Sequence, residues 1–121
     1  NIAFKKKCWK KIGGYPEETY TAEDTVYDIR LRKAGFKFFF NEKAMVKWEL
    51  PKSLEEAKKK HYTYSYGDGQ YGLYNLRFCY MILGLICPIK LLSKGPYFKI
   101  RYILLFYRVI GYFRGVLNSV K

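Results

Sequence analysis

The chain has 121 residues, half of them apolar and a fifth aromatic, with 23 basic against ten acidic side chains and a formal net charge of +13. That length allows one domain with a small core, while a lone histidine and three scattered cysteines exclude a Cys/His metal cluster and leave no readable Ser/His/Asp arrangement. The odd number and wide spacing of Cys8, Cys79 and Cys87 predict reduced thiols and an intracellular setting, with Cys79 and Cys87 as small buried residues in an apolar run.

Along the chain, the first signal is a Gly13-Gly14 turn. Thr21 with Asp24 three residues on, ahead of Val26 and Ile29, has the pattern of a helix N-terminus, and Gly35 predicts the stop. A carboxylate in a first turn sits near the positive end of the helix dipole, which favours its ionised, proton-accepting form. Asp24 is therefore either a general base or only the cap of its helix. Pro51 closes the next segment. Ser53 with Glu56 predicts a second capping box and a helix of about twelve residues running to Tyr66, before Gly67-Asp68-Gly69 breaks it. On that helix Glu55 with Lys59 and Glu56 with Lys60 make i,i+4 pairs, which leaves Lys58, with Leu54 at i−4, without a partner.

The remainder is set apart by charge. All ten acidic residues precede Gln70, and from Leu76 onward there are eight basic residues and no acid, interleaved with nine aromatics. Such a tail calls for a polyanion or a membrane. Residues 78–89 form an uncharged run broken by Pro88, short of the roughly 20 residues that span a bilayer. Residues 97–117 read as an amphipathic helix with Arg101, Arg108 and Arg114 towards one face and Ile103, Leu104, Phe106, Val109 and Ile110 over much of the rest. Nucleic acid would explain cations and rings together, but aliphatic runs such as Met81-Ile82-Leu83 argue against it. The reading adopted is a helix in the headgroup region with its arginines towards lipid phosphates; ordinary core helices, or a hairpin through the bilayer, are the alternatives.

The runs Ile12-Gly13-Gly14-Tyr15-Pro16-Glu17-Glu18, Glu23-Asp24-Thr25-Val26-Tyr27-Asp28-Ile29-Arg30-Leu31-Arg32 and Ala34-Gly35-Phe36-Lys37 together resemble the second half of family-2 glycosyltransferases with a GT-A fold. The resemblance covers about residues 1–70. It implies an α/β fold, the C-terminal half of a mixed-sheet domain, with a strand over residues 1–6 and two short strands over residues 38–46. It implies Asp24 as catalytic base with Glu23 positioning it, Gly13, Gly14, Tyr15 and Trp48 at the acceptor, and Lys58, Lys59, His61 and Tyr62 at the donor diphosphate. A divalent cation, Mg or Mn, is implied too, with most of its ligands in a donor-binding half expected before Asn1. This sequence contains no Asp-x-Asp, it has Trp48 where many relatives carry a metal-binding histidine, and it lacks the Gln-x-x-Arg-Trp motif of processive members.

The expected organisation is an acceptor-side half over residues 1–52, a gating helix and glycine-rich turn over 53–75, and a membrane-associating helical tail over 76–121. The expected function is inverting transfer of one sugar from a nucleotide-sugar donor to a glycan or lipid-linked acceptor. It would take place at the cytoplasmic face of an anionic membrane, in polysaccharide biosynthesis, without nucleic acid, and the fragment alone would be inactive. A non-catalytic membrane-docking or subunit-interaction module is the alternative.

Overall fold

The computed structural model describes residues 2–17, 21–88 and 95–119. It divides into two units, residues 1–50 and residues 51–121.

In the first unit, α1 (Lys6–Ile12) is strongly basic and buries only Cys8. Gly13 ends it at φ 85, a left-handed conformation that costs glycine little, and its N–H donates to the Trp9 carbonyl at 3.0 Å. Helix α2 (Glu23–Lys33) carries Glu23 and Asp24 in its first turn and Arg30, Arg32 and Lys33 in its last, both matched to the helix dipole. It stops where the sequence predicts. Gly35 donates to Arg32 and Phe36 to Leu31, at 3.0 and 3.1 Å, the paired bonds of a Schellman motif. Phe36 then packs with Ile12, Tyr15 and Phe38 around a small core of Cys8, Tyr27 and Leu31, and the Arg32 guanidinium lies 4.2 Å over the Phe38 ring.

No strand forms among the described residues, so the fold is all-α and the expectation of an α/β mixed sheet is overturned. The opening residues enter α1 at Lys6 instead of continuing as a strand. Residues 38–46 run irregularly: Ala44 N–H donates to the Asn41 carbonyl and Lys43 N–H to Asn41 Oδ1, both at 3.1 Å. A strand must pair its backbone with a neighbour, and this segment satisfies part of its own by turning back within four residues. Phe39, Phe40 and Met45 consequently stand exposed. The N-cap of α2 is Ala22, not Thr21. Helix α2 follows Ala22 in a left-handed conformation, φ 69, with no side chain capping it.

The second unit holds α3 (Leu54–Gln70), α4 (Asn75–Ile86), a 3₁₀ turn at Gly95–Tyr97 and α5 (Phe98–Leu117). The second capping box is present: Ser53 Oγ accepts the Glu56 N–H at 3.1 Å, and Glu56 Oε2 accepts the Lys52 N–H at 2.8 Å. Beyond it α3 does not break at Gly67 but runs on to Gln70, 17 residues in all. The glycines serve close approach rather than a turn. A Cβ on Gly69 would meet the Tyr112 carbonyl oxygen, one on Gly111 that of Tyr62, and one on Gly115 that of Tyr66, each under 3.0 Å. With those Cβ atoms absent, α3 and α5 cross backbone against backbone.

Helix α4 lies along α5. Phe78 stacks on Tyr112 with ring centroids 4.0 Å apart, the Tyr102 hydroxyl donates to the Leu85 carbonyl at 3.2 Å, and the Tyr112 hydroxyl donates to Asn75 Oδ1. Cys79 and Cys87, expected to be buried, are exposed free thiols, because the face of α4 that carries Cys79 is turned away from α5. Among the described residues no helix is long and apolar enough to cross a membrane.

Candidate functional site

The chemistry of the first unit gathers at the N-terminal end of α2. The Gly13-Gly14 turn brings Tyr15 back onto Trp9, ring edge to face with centroids 5.1 Å apart. A Cβ on Gly14 would lie 2.8 Å from the Trp9 indole, so the space that glycine leaves is taken by that ring. Phe4 stacks on Trp9 at 5.8 Å and also meets Tyr15, ring edge to face, at 6.4 Å. Tyr27, from the second turn of α2 and fully buried, touches Phe4 and Tyr15, both at 4.9 Å. The result is a four-ring wall of which Phe4 and Trp9 remain more than a third exposed.

Three carboxylates lie within electrostatic reach of Tyr15 in this wall. Glu23 and Asp24 occupy the first turn of α2 and Asp28 lies one turn on. Asp24 is exposed, and its Oδ1 accepts the Thr25 N–H at 2.6 Å and the Thr25 hydroxyl at 3.3 Å. Asp28 is different. Burial pushes its carboxyl above the usual range, the negative charge of Asp24 adds to the rise, and Arg32 opposes it. Its Oδ1 is buried without a hydrogen-bond partner, as is the hydroxyl of Tyr27. Burial, and then the charges of Asp24, Asp28 and Glu23, push the Tyr15 phenol upward, so it stays protonated and able to donate. A wall of ring faces with carboxylates and a phenol about it suits a ligand that is apolar on one face and hydroxylated at its rim.

The structure thus brings together Glu23, Asp24, Gly13, Gly14 and Tyr15 of the predicted site residues. Trp48 lies in the irregular segment after α2 and is 67% exposed. Sequence reasoning missed Phe4, Trp9, Tyr27 and Asp28. For Asp28 a signal was present, since Asp24 and Asp28 are four residues apart on a predicted helix and share a face.

Three of the residues expected at a diphosphate make side-chain contacts within the second unit. Lys58 is not unpartnered: its Nζ meets Glu55 Oε1 at 2.5 Å across an i,i+3 spacing, and that bond raises its pKa. It also lies 5.6 Å from the Tyr107 ring centroid. His61 accepts the Arg108 Nε–H at Nδ1, 2.8 Å, so the imidazole is held neutral; burial first, then Arg108 and Lys60, lowers its pKa. The Tyr62 hydroxyl takes a long bond, 3.5 Å, from Arg114. Lys59 is exposed, and its carbonyl accepts the Thr63 hydroxyl at 2.8 Å.

For the implied cation, no three or more His, Cys, Asp or Glu side chains among the described residues group so as to hold a metal ion. These residues therefore do not by themselves provide such a site. No protein-family model, curated protein or solved structure matches this chain.

Proposed function

We propose that the chain takes part in inverting glycosyl transfer from a nucleotide-sugar donor, with the N-terminal end of α2 holding a glycan or lipid-linked acceptor. The observation that carries this reading is the set of carboxylates, Glu23, Asp24 and Asp28, whose charges act on Tyr15, one ring of the cluster Phe4, Trp9, Tyr15 and Tyr27. A sugar ring would lay its C–H face on the exposed parts of Trp9 and Phe4 and direct its hydroxyls at the acids. Asp24, the exposed carboxylate, takes the proton of the acceptor hydroxyl as that oxygen bonds to the anomeric carbon. The bond from that carbon to the diphosphate oxygen breaks, and the nucleoside diphosphate leaves with the electron pair. One in-line displacement inverts the centre. Glu23 positions the acceptor, and the Tyr15 phenol and the more readily protonated Asp28 hydrogen-bond its other hydroxyls.

The test is transfer of labelled sugar by the full-length protein, beside Asp24→Asn, from a panel of nucleotide sugars into a lipid and glycan extract. The expected result is a loss of about a hundred- to ten-thousandfold in the variant with donor binding retained, the range for removing a general base. Equal transfer by both proteins, or none by the wild type, would sink the proposal. A non-catalytic docking role draws support from one separate observation, the exposed apolar face of α4.

A further inference from the structure

We propose that α4 is a docking edge for an anionic lipid bilayer and lies in the interface with Leu76, Tyr80, Leu83 and Ile86 turned into it. Helix α4 has one charged residue, Arg77, and is otherwise apolar around most of its circumference. Phe78 and Leu85 meet α5 on one side. On the other, Leu76, Tyr80, Leu83 and Ile86 are 79%, 73%, 57% and 75% exposed. Their spacing of four, three and three residues makes a continuous stripe down the helix, and Cys79 and Cys87 extend it.

Several polar side chains of the unit are engaged between helices while apolar ones of α5 stay exposed. Arg108, expected among arginines facing lipid phosphates, instead donates to His61 of α3. Lys58 rests over Tyr107, and Tyr112 bonds Asn75. The glycine crossing joins α3 to α5 backbone to backbone, so that contact consumes few large apolar groups. Ile100, Phe106, Phe113 and Leu117 of α5 are left exposed.

Charge selects the occupant. Residues 76–121 hold eight cations and no acid, and Arg77, Lys99, Arg101 and Arg114 are exposed. A second copy would bring +13 against +13. Nucleic acid matches the charge but offers nothing to Leu83 or Ile86. An anionic bilayer surface accepts both features. At about 1.5 Å per residue, the twelve residues of α4 span about 18 Å, against about 30 Å of hydrocarbon, so the helix lies along the surface rather than across it.

The experiment is cosedimentation of the 121-residue chain with phosphatidylcholine vesicles, with and without phosphatidylserine, beside the double variant Leu83→Gln with Ile86→Gln. Both positions are exposed, so unchanged helical circular dichroism and melting would show that the variant keeps its fold. A polarity-sensitive dye on Cys87, in a Cys79→Ser background with Cys8 buried, reports whether α4 itself enters the bilayer. The expected results are binding that requires phosphatidylserine, at least about tenfold weaker binding by the double variant, and a blue shift of the dye on vesicles. A chain that stays in the supernatant, a double variant that binds equally, or a dye that does not shift would overturn the assignment. So would a dimer that the double variant abolishes and that does not bind vesicles. No sugar or donor enters this assay, so its outcome is independent of the glycosyl-transfer reading.

Discussion

Asp24 and Asp28 share one helix face four residues apart, yet they are in different physical situations. Asp24 is in water and bonds the first-turn backbone, while Asp28 is half-buried with one oxygen unpaired. A carboxyl whose folded pKa is raised contributes stability below its unfolded value, here near 3.8, and loses it as pH rises through the folded value. Asp28→Asn should therefore raise the melting temperature at neutral pH by a few degrees, with a gain that disappears in acid; a melt no higher than the wild type's at pH 7 would contradict this. His61 runs the other way. Its pKa is lowered by burial and by Arg108 and Lys60, so its contribution is complete above about 6.5, its unfolded value, and is lost as pH falls from there through the folded value. His61→Gln should flatten that acid-side slope in a series of melts, and an unchanged slope would show that another group titrates there. Ala22, at φ 69, holds a conformation that costs a residue with a Cβ about 1 kcal/mol. Ala22→Gly should stabilise the chain by about 0.5 kcal/mol in urea unfolding, the gain partly offset by the extra freedom of glycine in the unfolded chain.

Among the helices, the glycines of the α3–α5 crossing carry the tightest constraint. Gly111→Ala or Gly115→Ala would force a Cβ against a carbonyl oxygen of α3, and helix separation should cost about 3 kcal/mol in urea unfolding. Gly72, in the turn after α3 with open space around its Cβ position, should cost about 1 kcal/mol, for its φ of 61 alone. Equal losses at Gly72 and Gly115 would show that the crossing is not close-packed. These elements also show what a sequence makes legible. The Ser53–Glu56 box and the Gly35 stop are local chemistry, fixed within four or five residues, and both are present. Gly69 is legible in the sequence only as a breaker, because the same residue serves a turn and a close helix contact, and the partner that decides between them, Tyr112, is more than 40 residues away. Cys79 was misread for a similar reason. An apolar run on a helix does not state which side its neighbour takes.

Over the whole chain, the uneven charge was visible in the sequence, but the fold class was not. The first unit carries eleven basic and seven acidic residues and the second twelve and three. The strands expected at residues 1–6 and 38–46 rested on resemblance, and neither segment has a paired neighbour among the described residues, so residues 2–5 lead irregularly into α1 at Lys6 and residues 38–46 stay irregular. The α2 site was legible in part: Asp24, Glu23 and the Gly13-Gly14 turn stand out in the sequence. The ring wall does not, since Phe4, Trp9 and Tyr27 meet only once that turn has folded. That wall is where the end of α2 is proposed to bind a hydroxylated acceptor. The most direct test is an NMR titration of the chain with oligosaccharides, following the indole N–H resonances of Trp9 and Trp48. Trp9 should shift in a saturable way, Asp24→Asn and Asp28→Asn should weaken the effect, and Trp48 should stay in place. A Trp9 resonance that does not move, or movement at Trp48 alone, would contradict that proposal.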